Sequence, residues 1–231
     1  MNLKDEVIKS LELQKEQFGD ELYSELKIPK FEDQSLKKEN ILGKQVVVTP
    51  KINSISTSIS SEQLPTPAVY NSATSLDELK SKICNCLKCP LGSARKSFVF
   101  GEGSANAKVM LIGEGPGADE DLQGRPFVGR AGQLLTDILK AINFSREEVY
   151  IANIVKCRPP MNRTPFDSEI TECIPYLIKQ IDLIKPAFIL CLGSTAAQAL
   201  LGKRGTLGSF RNIVTELYGA QVMVTYHPAA L

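Results

Sequence analysis

The chain has 231 residues, 43% hydrophobic and 23% charged, with a formal net charge of +1, the make-up of a globular protein with one domain of ordinary size and material to spare. No apolar run approaches the roughly 20 residues that cross a bilayer, and the N-terminus MNLKDEVIKS has no signal-peptide core, so a cytoplasmic protein without a membrane partner is expected. The near-zero charge excludes binding of nucleic acid through bulk electrostatics, so any such contact must use a local basic surface.

In chain order, residues 1–26 place Leu3, Val7, Leu11 and Phe18 among charges, the pattern of an amphipathic helix suited to docking a protein partner. Residues 27–75 are rich in Ser, Thr, Lys and Pro, too polar to bury a core, and read as a flexible linker. Val46–Pro50 within them is assigned neither strand nor motif. From Leu76 the texture changes. β-rich runs at Val109–Ile112, Val149–Val155, Phe188–Leu192 and Gln221–Tyr226 alternate with helical segments at Gly132–Ile142, Asp167–Ile184 and Ser194–Leu201. Asp167 or Ser168 is the expected N-cap of the long helix, and Pro175 is expected to break or kink it. This alternation predicts a three-layer α/β/α sandwich with a central four-stranded parallel sheet over residues 76–231, preceded by a largely disordered N-terminal extension. Chemistry in such a fold belongs at the carboxyl ends of the strands.

Three features stand at those ends. The first strand runs into Gly113-Glu114-Gly115-Pro116-Gly117, a turn that exposes backbone N–H groups, although Pro116 removes the dinucleotide fingerprint. The acids Asp119, Glu120 and Asp121 follow, which a solvated surface also explains. Asn153 lies in an apolar strand, and two readings stay open: a core amide satisfied by backbone, or a side chain that reads a ligand. His227, the single histidine, closes the last strand and is either structural or catalytic.

There are six cysteines. Cys86-x-x-Cys89 with Cys157 and Cys173 makes four thiolates that suit zinc or an iron–sulfur cluster, and the wide second pair leans toward iron–sulfur. Cys84 could substitute in the set, and Cys191 reads as a small buried hydrophobe.

Together CxxC with FVFGEG, GEGPGADED, GRPFVGRAGQLL, VYIANIVKCRPPMNRTP, Cys173 and the closing HPAAL resemble the family 4 uracil-DNA glycosylases, from about Cys86 to Leu231. The resemblance implies a DNA-repair enzyme that releases uracil from single- or double-stranded DNA and leaves an abasic site, working as a monomer. It implies a [4Fe–4S] cluster on Cys86, Cys89, Cys157 and Cys173, structural rather than redox-catalytic. It implies that Gly113, Glu114 and Gly115 line the uracil pocket, that Phe127 stacks on the base and Asn153 reads its edge, and that His227 with Glu114 or Glu120 supplies catalysis. Lys156, Arg158 and Arg163 become candidate phosphate contacts. The family continues past HPAAL, so the domain reads as C-terminally truncated and the activity of this form is left open. Two other readings remain: a non-catalytic iron–sulfur DNA-binding module associated with a DNA polymerase or another repair partner, and a zinc-stabilised α/β protein.

Overall fold

The structure, a computed structural model, describes residues 66–231. The helix expected over residues 1–26, most of the linker over 27–75 and the Val46–Pro50 patch lie outside the described residues.

Six strands form one sheet in the order β1-β3-β2-β4-β6-β5. Its centre is the expected parallel set: β2 (Val109–Gly113), β3 (Tyr150–Asn153), β4 (Phe188–Leu192) and β6 (Ala220–Thr225). Two antiparallel edge strands, β1 (Glu102–Gly103) and β5 (Thr215–Leu217), flank this four-stranded centre. Neither carries a signal of its own: β1 has two residues, and β5 has no buried residue to set a period. Such short edges also limit unwanted pairing.

Alternation along the central strands divides the core into two. Met110, Ile112, Tyr150, Ala152, Ile189 and Cys191 face one side; Leu111, Ile151 and Leu192 face the other. Successive strand residues point to opposite faces, so both faces are apolar and both must be covered. The first side takes α1 (Pro67–Asn71), α2 (Leu76–Ile83), α6 (Asp167–Ile184) and α7 (Ser194–Leu201). The second takes α5 (Arg130–Ala141) through Leu135 and Leu139. Short helices α3 (Pro90–Ala94), α4 (Ala118–Gln123) and α8 (Leu207–Phe210) complete the three layers. Among the described residues no helix is long and apolar enough to cross a membrane.

Two expectations for α6 need correcting. The residue before it is Phe166, and the orphan N–H of Phe166 donates 2.8 Å to the Glu169 carboxylate, so a side chain three residues into the helix performs the capping expected of Asp167 or Ser168. Pro175 does not end the helix, which runs unbroken through it. The proline forfeits one backbone hydrogen bond. Burial of Cys173, Tyr176, Leu177, Gln180, Ile181 and Ile184 along the same helix outweighs that loss.

The folded core also starts upstream of Leu76. Pro67–Asn71 is helical, and Tyr70 and Ala73 are buried. The Tyr70 ring meets Tyr176 edge-on, centroids 5.1 Å apart, and the Lys88 ammonium lies over both rings. A polar composition hid one aromatic anchor. Tyr70→Ala is expected to destabilise the fold by about 3 kcal/mol, the scale of a large-to-small aromatic change; an unchanged denaturant midpoint would place Tyr70 outside the cooperative core.

Candidate active site

The carboxyl ends of β2, β3 and β6 open into a cavity of about 460 Å³. Glu114, Gly115, Glu120, Phe127, Asn153, Arg163 and His227 line it, so seven residues expected from sequence share one site. Gly113, one residue before this lining, packs against Asn153 and Phe127. A Cβ at Gly113 would come within 2.5 Å of Asn153 Oδ1 and 2.6 Å of Phe127 Cζ, closer than any side chain tolerates.

Asn153 closes β3. It is buried, yet its Oδ1 has no hydrogen-bond partner. A core amide satisfied by backbone would not leave an acceptor orphaned, because an unpaired buried acceptor costs about 1–3 kcal/mol. Asn153 lines the cavity, so the unpaired acceptor lies beside the space a ligand would fill.

Phe127 is held in an unfavourable backbone state, with φ at +52°, the left-handed region where a bulky residue is an outlier. Arg146 fixes it there, donating to the Phe127 carbonyl at 3.0 Å and the Pro126 carbonyl at 2.8 Å. Arg146 is itself anchored on the Glu102 carboxylate, which also pairs with Arg125. Below the loop Gly132 admits the Phe127 carbonyl at a distance where any Cβ would collide. Sequence reasoning missed Arg146 and Glu102, since two separated charges carry no signal until the fold brings them together. The Phe127 ring lies 5.5 Å from the His227 ring, tilted by 31°, so the two form one wall.

His227 begins the 3-10 turn Pro228–Ala230, and its Nδ1 accepts from the Ala229 N–H at 3.1 Å. An accepting Nδ1 assigns the ring proton to Nε2. Burial holds the imidazole below its usual range, against the opposing pull of Glu114 and Glu120. The result is a neutral ring with one N–H donor left.

The two candidate acids separate. The Glu120 carboxylate accepts from Gly117 N at 3.0 Å and from Val128 N and Gly129 N at 2.9 Å each. It stitches the glycine turn to the Phe127 loop. Asp121 likewise accepts from Lys96 N and Ser97 N and is buried. Glu120 and Asp121 are therefore structural bracing, while Asp119 is exposed. Glu114 lines the same cavity, and among the described residues no protein donor engages its carboxylate.

The basic candidates divide as well. Lys156 is a correction: it is fully buried, donating to the Asn153 carbonyl at 3.0 Å and Gln180 Oε1 at 2.6 Å. It cannot touch a phosphate. Gln180 continues the chain to the Phe100 carbonyl and the Tyr150 hydroxyl. Arg163 is committed to Glu169 by two bonds of 2.8 and 2.7 Å. Arg158 donates to Asn162 at 2.8 Å and remains partly exposed.

On the other side of Lys156 the four cysteines gather. Cys86, Cys89, Cys157 and Cys173 lie within electrostatic reach of one another. Three of the sulfurs accept hydrogen bonds: Cys86 from the Tyr176 hydroxyl at 3.2 Å, Cys157 from Arg95 at 3.3 Å and Cys173 from Lys156 N at 3.3 Å. Arg95 also donates to the carbonyls of Cys84 and Cys86, tying the CxxC segment to Cys157. Burial pushes the Cys157 thiol up to about 11 and the Cys173 thiol up to about 12. Cys84 Sγ points instead toward the Ser81 carbonyl and Asn85, and Cys191 is buried in β4 among apolar residues.

The family model for the uracil DNA glycosylase superfamily matches residues 100–231. A type-4 uracil-DNA glycosylase of Pyrobaculum aerophilum is 49% identical over 164 residues, covering 68% of this chain and 84% of the relative. A type-4 uracil-DNA glycosylase of Archaeoglobus fulgidus is 43% identical over 165 residues, covering 68% and 83%. One of Thermotoga maritima is 42% identical over 165 residues, covering 71% and 86%. With a cavity that pairs an orphaned amide acceptor, an aromatic wall and a neutral histidine, and with these matches across the whole cavity-bearing region, the chain belongs to the uracil-DNA glycosylase superfamily, in its type-4 group.

Proposed function

We propose that this chain hydrolyses the N-glycosidic bond of deoxyuridine in DNA, releasing uracil and leaving an abasic site, as a monomer in the cytoplasm. The observation that carries the reading is the buried, unpartnered Asn153 Oδ1 beside Phe127 and His227.

Uracil inside a duplex is out of reach and must be flipped out, at a cost of a few kcal/mol. Stacking on Phe127 offsets part of this. Asn153 Oδ1 accepts from uracil N3–H and its amide N–H donates to O4; cytosine presents the opposite pattern and leaves polar groups unpaired. As the bond breaks, negative charge grows on the departing base and positive charge on the sugar. His227 Nε2–H donates to the charged base oxygen in a site that excludes bulk water. Glu114, whose carboxylate no donor among the described residues engages, orients the attacking water and steadies the sugar cation. Glu120 holds the two loops in place and takes no part in proton transfer.

The cysteines support a [4Fe–4S] cluster over zinc. The four cysteines come from three separate segments and lie within electrostatic reach of one another. Cluster thiolates each bind a different iron, so they surround a volume rather than meet at a point. Hydrogen bonds from Arg95, Tyr176 and the Lys156 backbone onto three sulfurs are the dressing that thiolate ligands take. Cys86, Cys89, Cys157 and Cys173 would hold the cluster, which supplies a cross-link between distant segments rather than a redox step.

Three outcomes are expected. Anaerobically purified protein is brown with about four iron per chain, and Cys157→Ser or Cys173→Ser loses both iron and fold while Cys191→Ser keeps both. One stoichiometric zinc in a colourless protein would refute the cluster. Asn153→Asp relaxes the choice of uracil over cytosine in a cleavage assay on matched oligonucleotides; unchanged selectivity would return Asn153 to the core. The third concerns pH. A second proton on His227 must go to Nδ1, breaking the bond from Ala229, so the active form is neutral. Because burial depresses its pKa, excision rises with pH through a midpoint below the ordinary imidazole value and levels off above it. His227→Ala lowers single-turnover excision by roughly 100-fold and removes this acid limb. DNA binding without any excision by the unaltered chain would favour a non-catalytic module.

A further inference from the structure

The loop from Pro160 to Phe166 walls the base cavity off from a neighbour. Asn162 and Arg163 line the first, and Thr164 and Pro165 line a second cavity of about 300 Å³. This wall carries two exposed apolar side chains, Met161 at 94% and Phe166 at 59% exposure. Lone exposed hydrophobics need no explanation. These two are held in place at a cost, and that does need one.

Met161 has φ at +54° and Asn162 at +56°. Asparagine tolerates that region; methionine does so poorly. The turn is pinned regardless. Asn162 N donates to the Pro159 carbonyl at 3.0 Å, Arg163 N to the Pro160 carbonyl at 3.2 Å, and Arg158 Nε to Asn162 Oδ1 at 2.8 Å. Phe166 is held as firmly. The Arg163 guanidinium lies 3.8 Å from its ring centroid, and two bonds to buried Glu169 fix that guanidinium in orientation. The same carboxylate accepts from Phe166 N at 2.8 Å. A cation already matched by a buried carboxylate is a poor phosphate hook. Planar and fixed, it serves instead to back an aromatic ring.

An aromatic ring backed by a guanidinium, with a polarisable thioether on the same loop, presents a flat π-accepting shelf beside a cavity that takes a nucleobase. Such a surface fits the face of a second nucleobase, whatever its identity. We propose that Phe166 and Met161 stack the unpaired base adjacent to the flipped uracil, so that single-stranded uracil DNA is a substrate class with its own contact on this loop. The proposal rests on the cavity being the uracil site. A base still paired in a duplex stacks on its own neighbours and gains little from the shelf.

The test uses the full chain and single-stranded oligonucleotides carrying 2′-fluoro-deoxyuridine, which resists cleavage, with 2-aminopurine on one side or the other. Binding is expected to change 2-aminopurine fluorescence strongly on one side only. Phe166→Ala abolishes that signal and weakens binding about 10-fold; Met161→Ala gives a smaller loss. Both residues are exposed, so both variants fold. Replacing the neighbouring base with an abasic site makes wild type and Phe166→Ala bind alike. Tyr218→Ala, in the turn between β5 and β6 at the opposite end of the sheet, changes nothing. A persistent one-sided signal in Phe166→Ala, or a binding loss that survives removal of the neighbouring base, overturns the shelf. Ordinary deoxyuridine is cleaved in parallel: excision by wild type without a one-sided signal sinks the shelf alone, whereas no excision sinks the reading of the cavity beneath it.

Discussion

No side chain can stand at position 113, and the site follows from that constraint. The β2 and β3 strands are hydrogen-bonded neighbours, with Gly113 in register with Asn153. At the end of β2 the bare glycine lets the Asn153 amide and the Phe127 ring close over the same spot. Any Cβ there would displace one of them. The Asn153 amide and the Phe127 ring thus owe their positions to one missing side chain, and the surrounding bonds lock them. Arg146 and Gly132 hold Phe127 from behind, and Glu120 ties the Phe127 loop to the glycine turn through three backbone N–H groups. Preorganisation of this kind lets a polar cavity wait for a base without collapsing, since each wall is held by bonds that do not involve the ligand.

Much of this was legible in the sequence. The four central strands and the three main helices announce themselves by alternation and by helical period, because each has one or two apolar faces to bury. Gly113, Asn153 and His227 stand out as residue types that are costly or unusual at strand ends. What could not be read falls into two kinds. Edge strands β1 and β5 bury too little to leave a pattern, and Tyr70 is one aromatic in polar surroundings. Arg95, Arg146, Glu102 and Gln180 act through partners far away in sequence, at separations where local spacing holds no information. Lys156 misled for a related reason. A lysine beside Cys157 and Arg158 looks like part of a basic surface, and only its place beneath Asn153 shows that it points inward.

That lysine joins the two halves of the domain. A buried ammonium is costly unless well bonded. Lys156 meets the cost with two acceptors, the Asn153 carbonyl and Gln180 Oε1, while burial draws its pKa down to about 8 and the neighbouring cysteines draw it up. Its backbone N–H donates to Cys173 Sγ, and its carbonyl accepts from Val99 N, just before the Phe100 carbonyl that Gln180 also holds. One residue therefore touches the strand end that carries Asn153, the helix that carries Cys173 and the segment that follows Arg95. The cysteine cradle and the base cavity are not separate modules on one scaffold. They are opposite faces of a short segment, Asn153 to Cys157, in which every residue is buried. A disturbance of the cradle must pass through that segment before it reaches the surface, and Asn153 is its first residue. Through that segment the cradle helps to fix the position of the Asn153 amide.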